Sequence, residues 1–490
     1  MSWWLWIIVV VAVFLVGVTI HDVTQRKHAI LRNFPIIGHF RYLIEKIGPE
    51  LRQYVVANND EELPFSRDQR RFVYASAKQQ NSYFGFGSDN EFDVPGYVLF
   101  RHSAFPHPSP PKEAADKLPM RKVLGEAHGR EHAFTPESAV YISAMSFGSL
   151  SAPAVEALNR GAALSGTLHN TGEGGISEHH RHGGPLILQL GTGYFGARNI
   201  DGSFSMDAMM ASMEKAPVKA IEVKMSQGAK PGLGGVLPGR KVTPAIAAAR
   251  GVEVGVTVNS PSSHRSFTNV PELISFMEEI GRESGVPVGI KSAVGEKAFW
   301  RELAETMKAT GKGPDFISVD GGEGGTGAAP LPFSDHVALP FQHGFAEVYR
   351  AFAEQGLHER IIFLGAGKLG LPTEAMVAMA MGADGVGVAR EAMLAIGCVQ
   401  AQKCHDDHCP TGVATQNRWL TRGLDPTDKS VRFANYASTL RYELVRLSNA
   451  MGAEHPSLVD PDNVEIRVST NEVAPVREVY GYDPSWRITS

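Results

Sequence analysis

The chain has 490 residues, 43% of them hydrophobic and 20% charged, with a formal net charge of −5. That length supports a large core in several domains or in one barrel with extensions, and the charge balance offers no basic footprint for nucleic acid. With only three cysteines, a disulfide framework is excluded and a reducing compartment fits.

Trp3 to Ile20, WWLWIIVVVAVFLVGVTI, carries no charge over eighteen residues, close to the roughly twenty needed to cross a bilayer. Trp3, Trp4 and Trp6 are placed as an interfacial belt, and neither a basic leader nor a small-residue cleavage site is present. The segment 1–24 therefore predicts a single-pass anchor in the cell membrane. Arg26, Lys27, Arg32 and Arg41 follow it, so the positive-inside rule predicts a cytoplasmic catalytic body. Next, Leu43, Ile44, Ile47 and Leu51 recur at helical spacing between Glu45, Lys46, Glu50 and Arg52. This helix either lies on the membrane surface or docks on the rest of the protein, and docking is the expectation. Residues 57–135 show weak periodicity and turn signals at Gly85, Gly87, Pro95 and Gly96, then HPSPPK at 107–112. Residues 25–135 are thus expected to form a helical and irregular cap.

From Ala139 short apolar strands alternate with helical stretches. Eight strands are predicted, at Tyr141–Ala144, Thr167–Asn170, Leu186–Leu190, Ala220–Met225, Val286–Lys291, Phe316–Asp320, Ile361–Gly365 and Gly385–Ala389. Eight βα units make an α/β chain of the TIM (β/α)8 barrel class over 136–425, with a doubly wound open sheet as the alternative. Polar and glycine motifs after nearly every strand favour the barrel, whose strand ends all face one site. Residues 426–490 read as a helical closure and tail.

Three of those motifs suit a phosphate: DGGEGGTGA from Asp320, GAGKLG from Gly365, and GVGVAR ending at Arg390. Glycines let backbone amides approach an anion, and the last loops of a barrel supply its usual phosphate site. Asp320, Gly321, Gly322, Gly325, Thr326, Gly365, Gly367, Gly387, Ala389 and Arg390 are the candidates. No GxGxxG opens an N-terminal βαβ unit, so a mononucleotide such as FMN is expected. The pattern resembles FMN-dependent barrels, in which a strand-end lysine faces the N1/O2 edge of the flavin; Lys291 is that candidate.

All three cysteines fall in one segment after the last strand, 397–416, GCVQAQKCHDDHCPTGVATQ. Cys398, Cys404 and Cys409, spaced C-x5-C-x4-C, point to thiolates around an inorganic centre. An iron–sulfur cluster is favoured, and three thiolates leave one corner of a cuboid free, as in a 3Fe-4S centre. Zinc held with His405 or His408 is the alternative.

The run from Cys398 to Gln416, with CHDDHCPTGVATQ inside it, resembles the cluster-binding segment of the glutamate synthases, whose FMN domain carries a 3Fe-4S cluster on three cysteines. Further matches are SAMSFGSLS (143–151), HNTGEGG (169–175), KMSQGAKPG (224–232) and KVTPAIAAAR ending at Arg250. The resemblance covers roughly 130–425. It implies that Ser143, Ala144, Met145, Ser146 and Asn170 lie against the flavin, with Gln189 and Lys224 near its ring. Lys230 and Arg250 match carboxylate-binding cations for 2-oxoglutarate, and Glu173 an acid beside that substrate. It further implies electrons passing from cluster to FMN to reduce an imine or 2-oxo acid, forming glutamate from 2-oxoglutarate and ammonia. The chain departs from the family at Leu233, where an acid is usual, at Val236, where a glutamine is usual, and in PSSHRS (261–266). Those changes favour a second reading, FMN oxidoreductase or amino-group transfer on another substrate; a membrane electron-transfer subunit is a third. No glutaminase segment is legible, so the expected partners are a small oxo or amino acid, ammonia or a separate glutaminase, and a ferredoxin or NADPH-linked electron donor.

Overall fold

The structure is a computed structural model describing residues 2–25, 27–83, 86–88, 90–111 and 117–486. Arg26, Gly85 and Lys112 lie outside the described residues. The chain separates into two compact units, 1–69 and 70–490.

In the first unit the predicted apolar segment is a helix, Trp3–Thr24, 22 residues long with mean hydropathy 2.6. At about 1.5 Å per residue it is long enough to cross a membrane, a test that a signal sequence also passes. A short helix, Ala29–Asn33, leads to a longer one, Ile37–Leu51. Within this unit Leu43, Ile44, Ile47 and Leu51 are exposed.

The second unit contains a closed barrel of eight parallel strands: β1 (Val140–Ile142), β2 (His169–Asn170), β3 (Leu186–Leu190), β4 (Val218–Lys224), β5 (Val288–Ser292), β6 (Phe316–Asp320), β7 (Ile362–Ala366) and β8 (Gly385–Val388). Each pairs with its neighbour in chain order, and β8 closes on β1 through Val386 opposite Val140. All eight predicted strands are present, and the open-sheet alternative is excluded by that closure. Continuous burial along β3, β5, β6 and β7 follows from packing on both faces, helices outside and side chains within.

The rim at the strands' N-terminal ends is sealed by internal ion pairs. Arg130 Nε lies 2.9 Å from Asp315, just ahead of β6, and Lys122 Nζ 3.1 Å from Asp384, just ahead of β8. The rim at the C-terminal ends is left to loops, as expected of a working face.

Outside the barrel, the 25-residue helix Pro426–Ala450 packs along helix Ala152–Ser165. Gly161 permits the approach, since a Cβ there would stand 2.8 Å from the Phe433 ring and 2.9 Å from the Ser430 carbonyl. Two regions differ from expectation. The tail is only partly helical: Val464–Ser469 and Glu472–Pro475 form strands, joined antiparallel by Val98–Phe100 from the supposedly irregular region. VEIRVS alternates as a strand should, but one of its two partners, Val98–Phe100, lies more than three hundred residues away, beyond the reach of local pattern. Helix Arg67–Ala77 was likewise not expected.

Candidate active site

Every barrel strand delivers a candidate residue to the C-terminal rim. Ser143 to Ser146 follow β1, Asn170 ends β2, Gln189 is next to last in β3, and Lys224 ends β4. Lys291 is next to last in β5, Asp320 ends β6, Gly365 and Gly367 flank the end of β7, and Gly387 and Ala389 the end of β8.

Within the barrel these side chains interlock. Asn170 Nδ2 and Gln189 Nε2 each donate to Glu222 Oε1 at 2.7 Å, and Ser318 Oγ donates to Glu222 Oε2 at 2.7 Å. Asn170 Oδ1 in turn accepts from the Gly172 amide at 3.0 Å, so the orientation of the Asn170 amide is fixed from both ends. Glu222 is fully buried and was missed in the sequence, although an acid inside the apolar strand run AIEV is itself a signal. Lys291 Nζ sits 3.4 Å from Ser143 Oγ and 3.5 Å from Asp320 Oδ2, nearly out of solvent.

Nearer the mouth is a second cluster. Glu173 Oε1 lies 3.1 Å from Lys224 Nζ, which also donates to Gln227 Oε1 at 2.7 Å. The resemblance places Lys224 near the flavin ring, and in the structure it is paired with Glu173. Burial raises the Glu173 carboxyl, but Lys224, Arg250 and Lys230 together outweigh it and hold the group below the ordinary carboxylate range. Burial depresses Lys230 and Arg250 from their usual values, in both cases opposed by Glu173. Lys230 donates to the Gly234 carbonyl at 2.9 Å, while Arg250 reaches Ser146 Oγ and the Phe147 carbonyl at 3.3 Å over the Phe195 ring. The Arg250 Nε is buried without a hydrogen-bond partner among the described residues. Beside this cluster is a cleft lined by Glu173, Lys224, Gln227, Leu233, Pro261 and Ser262 among others. From the divergent 261–266 segment His264 bridges Tyr194 Oη and the Lys224 carbonyl, each at 2.9 Å, and so props the end of β4.

The glycine loops draw together on the same rim, where the Gly228 amide donates to Asp320 Oδ2 at 3.0 Å. Gly367 has φ +128°, and a Cβ on it would stand 3.1 Å from Gly321 Cα. A Cβ on Gly325 would meet the Arg390 side chain at 3.1 Å, and Arg390 donates to the Glu323 carbonyl. Backbone packed so closely forms a cradle that fits a phosphate: amides and one largely desolvated guanidinium. Thr326 is exposed and its hydroxyl accepts from Ala328 N at 3.4 Å, a local turn.

That loop also abuts the cysteine segment, where a Cβ on Gly327 would stand 3.0 Å from Cys404. Lys241 binds the Cys404 carbonyl at 3.2 Å and Asp407 at 3.6 Å, and Tyr74 Oη donates to the Cys398 carbonyl at 2.8 Å. Gln400, Gln402 and Asp407 all take left-handed φ, between 55° and 69°, which coils the segment. Burial pushes the Cys398 thiol up to about 12, and the thiolate charges of Cys404 and Cys409 add to the effect. Cys404 is raised for the same leading reason. Thiols so placed ionise only against a compensating cation. Among the described residues no three His, Cys, Asp or Glu groups converge on one ion, and His405 and His408 are exposed. The three thiols are neighbours in one segment, with the Gln400 amide 3.4 Å from Cys398 Sγ, and thiolate is the ligand type that iron–sulfur clusters take.

The protein family described as the conserved region in glutamate synthase matches residues 112–454. The chain belongs to the glutamate synthase family. It is 39% identical over 496 residues, 94% of each chain, to the glutamate synthase large subunit-like protein YerD of Bacillus subtilis (strain 168). It is 35% identical over 320 residues to the archaeal-type glutamate synthase (NADPH) of Thermotoga maritima, covering 64% of this chain and 60% of that one. The archaeal glutamate synthase (NADPH) of Archaeoglobus fulgidus is 32% identical over 319 residues, 64% of this chain and 59% of its own. A solved mandelate oxidase mutant with an FMN adduct covers 89% of this chain and 99% of its own at 13% identity and TM-score 0.45; so distant a likeness speaks to neither ligand nor reaction. Membership of the glutamate synthase family makes the protein a glutamate synthase-like oxidoreductase.

Proposed function

We propose that this protein is an FMN and iron–sulfur oxidoreductase that reduces an imine or 2-oxo acid, with glutamate formation from 2-oxoglutarate and ammonia as its leading reaction. The observation that carries this reading is the convergence of Lys224, Lys230 and Arg250 on Glu173 at the barrel mouth. Three cations against one carboxylate leave two positive charges in excess, the complement of a dicarboxylate. Arg250 and Lys230 bind its carboxylates, and the partly desolvated setting strengthens both contacts. Glu173, held ionised by Lys224, accepts a proton from the amino nitrogen or returns one to it.

Bound FMN would supply hydride transfer, and a 3Fe-4S cluster one-electron relay. The glycine loops with Arg390 would hold the phosphate. Lys291 would place its charge by the reduced ring, and Asn170 and Gln189, fixed by Glu222, would line it. Cys398, Cys404 and Cys409 would hold the iron, one loop away from the phosphate cradle. Helix Trp3–Thr24 would anchor the chain in the cell membrane, with a ferredoxin or NADPH-linked donor and ammonia or a separate glutaminase on the cytoplasmic side.

An anaerobic titration tests the reading. The reduced protein is given 2-oxoglutarate and ammonium, and flavin reoxidation with glutamate formed is the expected result. A flavin that stays reduced would discard this substrate. Leu233 in the cleft lining supports a second reading, in which the same chemistry acts on an oxo acid with a less polar side chain.

A further inference from the structure

The first unit ends its long helix on a carboxylate that does not face water. Asp22 is fully buried; it accepts from the Ile36 amide at 3.0 Å and lies 2.9 Å from His39 Nε2 and 3.4 Å from His21 Nδ1. Ile36 is the cap of helix Ile37–Leu51, so the carboxylate also lies at the positive end of that helix. The second helix therefore starts within one hydrogen bond of where the apolar span stops.

Its six large apolar residues, Ile37, Phe40, Leu43, Ile44, Ile47 and Leu51, fall within an arc of about 120° at 3.6 residues per turn. All six are exposed, from 43% for Ile47 to 76% for Ile37. His39, Arg41, Glu45, Lys46 and Glu50 occupy the rest of the circumference, with Arg41 and Glu45 paired at 2.7 Å. Tyr54, Val55 and Val56 extend the exposed apolar surface beyond the helix. An apolar face of this kind needs a cover.

We propose that helix Ile37–Leu51 lies in the membrane interface, with its apolar arc in the lipid of the same bilayer that Trp3–Thr24 crosses. The inference rests on the anchor reading above. Three features select lipid. The face follows a helix whose apolar span has no buried residue, the Asp22 clamp starts it at the depth where that helix ends, and the arc is wider than a two-stranded coiled-coil seam. The charged face balances two cations with two acids, so apolar burial rather than attraction to anionic headgroups holds it down.

The test uses the full-length protein in neutral phosphatidylcholine vesicles, with the photo-crosslinker benzoylphenylalanine in place of Phe40, Ile44 or, on the polar face, Glu45. Flotation with the vesicles reports the anchor. If the protein floats, lipid adducts at Phe40 and Ile44 should exceed those at Glu45 roughly ten-fold, and raised salt should leave them unchanged. Adducts to peptides of this chain or of a second copy, or no adducts at all, would overturn the inference and leave the anchor standing. A protein that does not float overturns both.

Discussion

Two buried glutamates divide the barrel into regions with opposite logic. Glu222, deep inside, is satisfied by neutral donors alone: Asn170, Gln189 and Ser318. Glu173, at the mouth, is held by cations. Neutral donors at fixed lengths build a frame that has no other partner to turn to. Cations around a carboxylate can be shared with an incoming anion, so the same charge that stabilises the empty mouth prepares it for a substrate. The difference separates a region that sets geometry from one that exchanges partners.

Breaking the frame should have the largest effect. Glu222→Ala leaves three buried donors without an acceptor, at a cost of about 3–5 kcal/mol, visible as a large fall in Tm. Arg250→Leu should behave in the opposite way. The guanidinium is desolvated, with its Nε lacking a hydrogen-bond partner among the described residues, so Tm should hold within a few degrees. Binding of 2-oxoglutarate, measured by calorimetry, should weaken by about 2–3 kcal/mol, roughly a hundred-fold, through loss of a charged hydrogen bond. Equal losses of Tm in the two variants would erase the distinction between frame and mouth.

A pH series sharpens the comparison with a smaller effect. Burial lowers Lys230, as does the Lys224 charge, so its proton leaves below the ordinary lysine range of about 10.4. Dicarboxylate affinity should therefore begin to fall at a pH where an exposed lysine is still fully charged. Lys230→Arg should remove that fall. At the acid end the sign reverses. The Glu173 carboxyl is depressed in the folded state, so its contribution to stability is complete above the unfolded value of about 4.3 and is lost as pH drops through the lower folded value. Glu173→Gln should flatten that limb in denaturation measured against pH.

Much of this was legible in the sequence because it is local. The eight strands are apolar runs with a glycine or polar motif behind each, and Lys291, Asp320 and Gly367 stand where a strand followed by a glycine turn must put them. Glu173, Lys230 and Arg250 were singled out on family resemblance, and they gather in one place. What stayed hidden is non-local. Glu222 looks like one acid on one strand until β2, β3 and β6 bring Asn170, Gln189 and Ser318 to it. Lys241 looks like a surface lysine until its loop reaches Cys404. The strand Val98–Phe100 is too short to announce itself without Val464–Ser469 beside it. The first unit shows a related limit: periodicity shows that Ile37–Leu51 has an apolar face, and says nothing of what meets it.

The smallest expected effect lies at Leu233 and Val236, where the sequence reading expects a departure from the family pattern. Val236 is half exposed on the two-stranded ribbon that pairs it with Asn259, and Leu233 lines the cleft. Neither residue belongs to the frame, so substitution should leave Tm unchanged. If the mouth is tuned for 2-oxoglutarate, Val236→Gln adds one amide within reach of an oxo acid, worth about 1 kcal/mol or roughly five-fold in affinity. Leu233→Glu puts back the acid that the resemblance expects and sets it against the two-charge excess that draws a dicarboxylate. A preference for a monocarboxylate oxo acid after Leu233→Glu, with dicarboxylate binding lost, would identify the cation excess as the determinant of substrate class. If neither substitution moves either affinity, substrate choice lies with Arg250 and Lys230 alone, and the divergent loop only frames the opening.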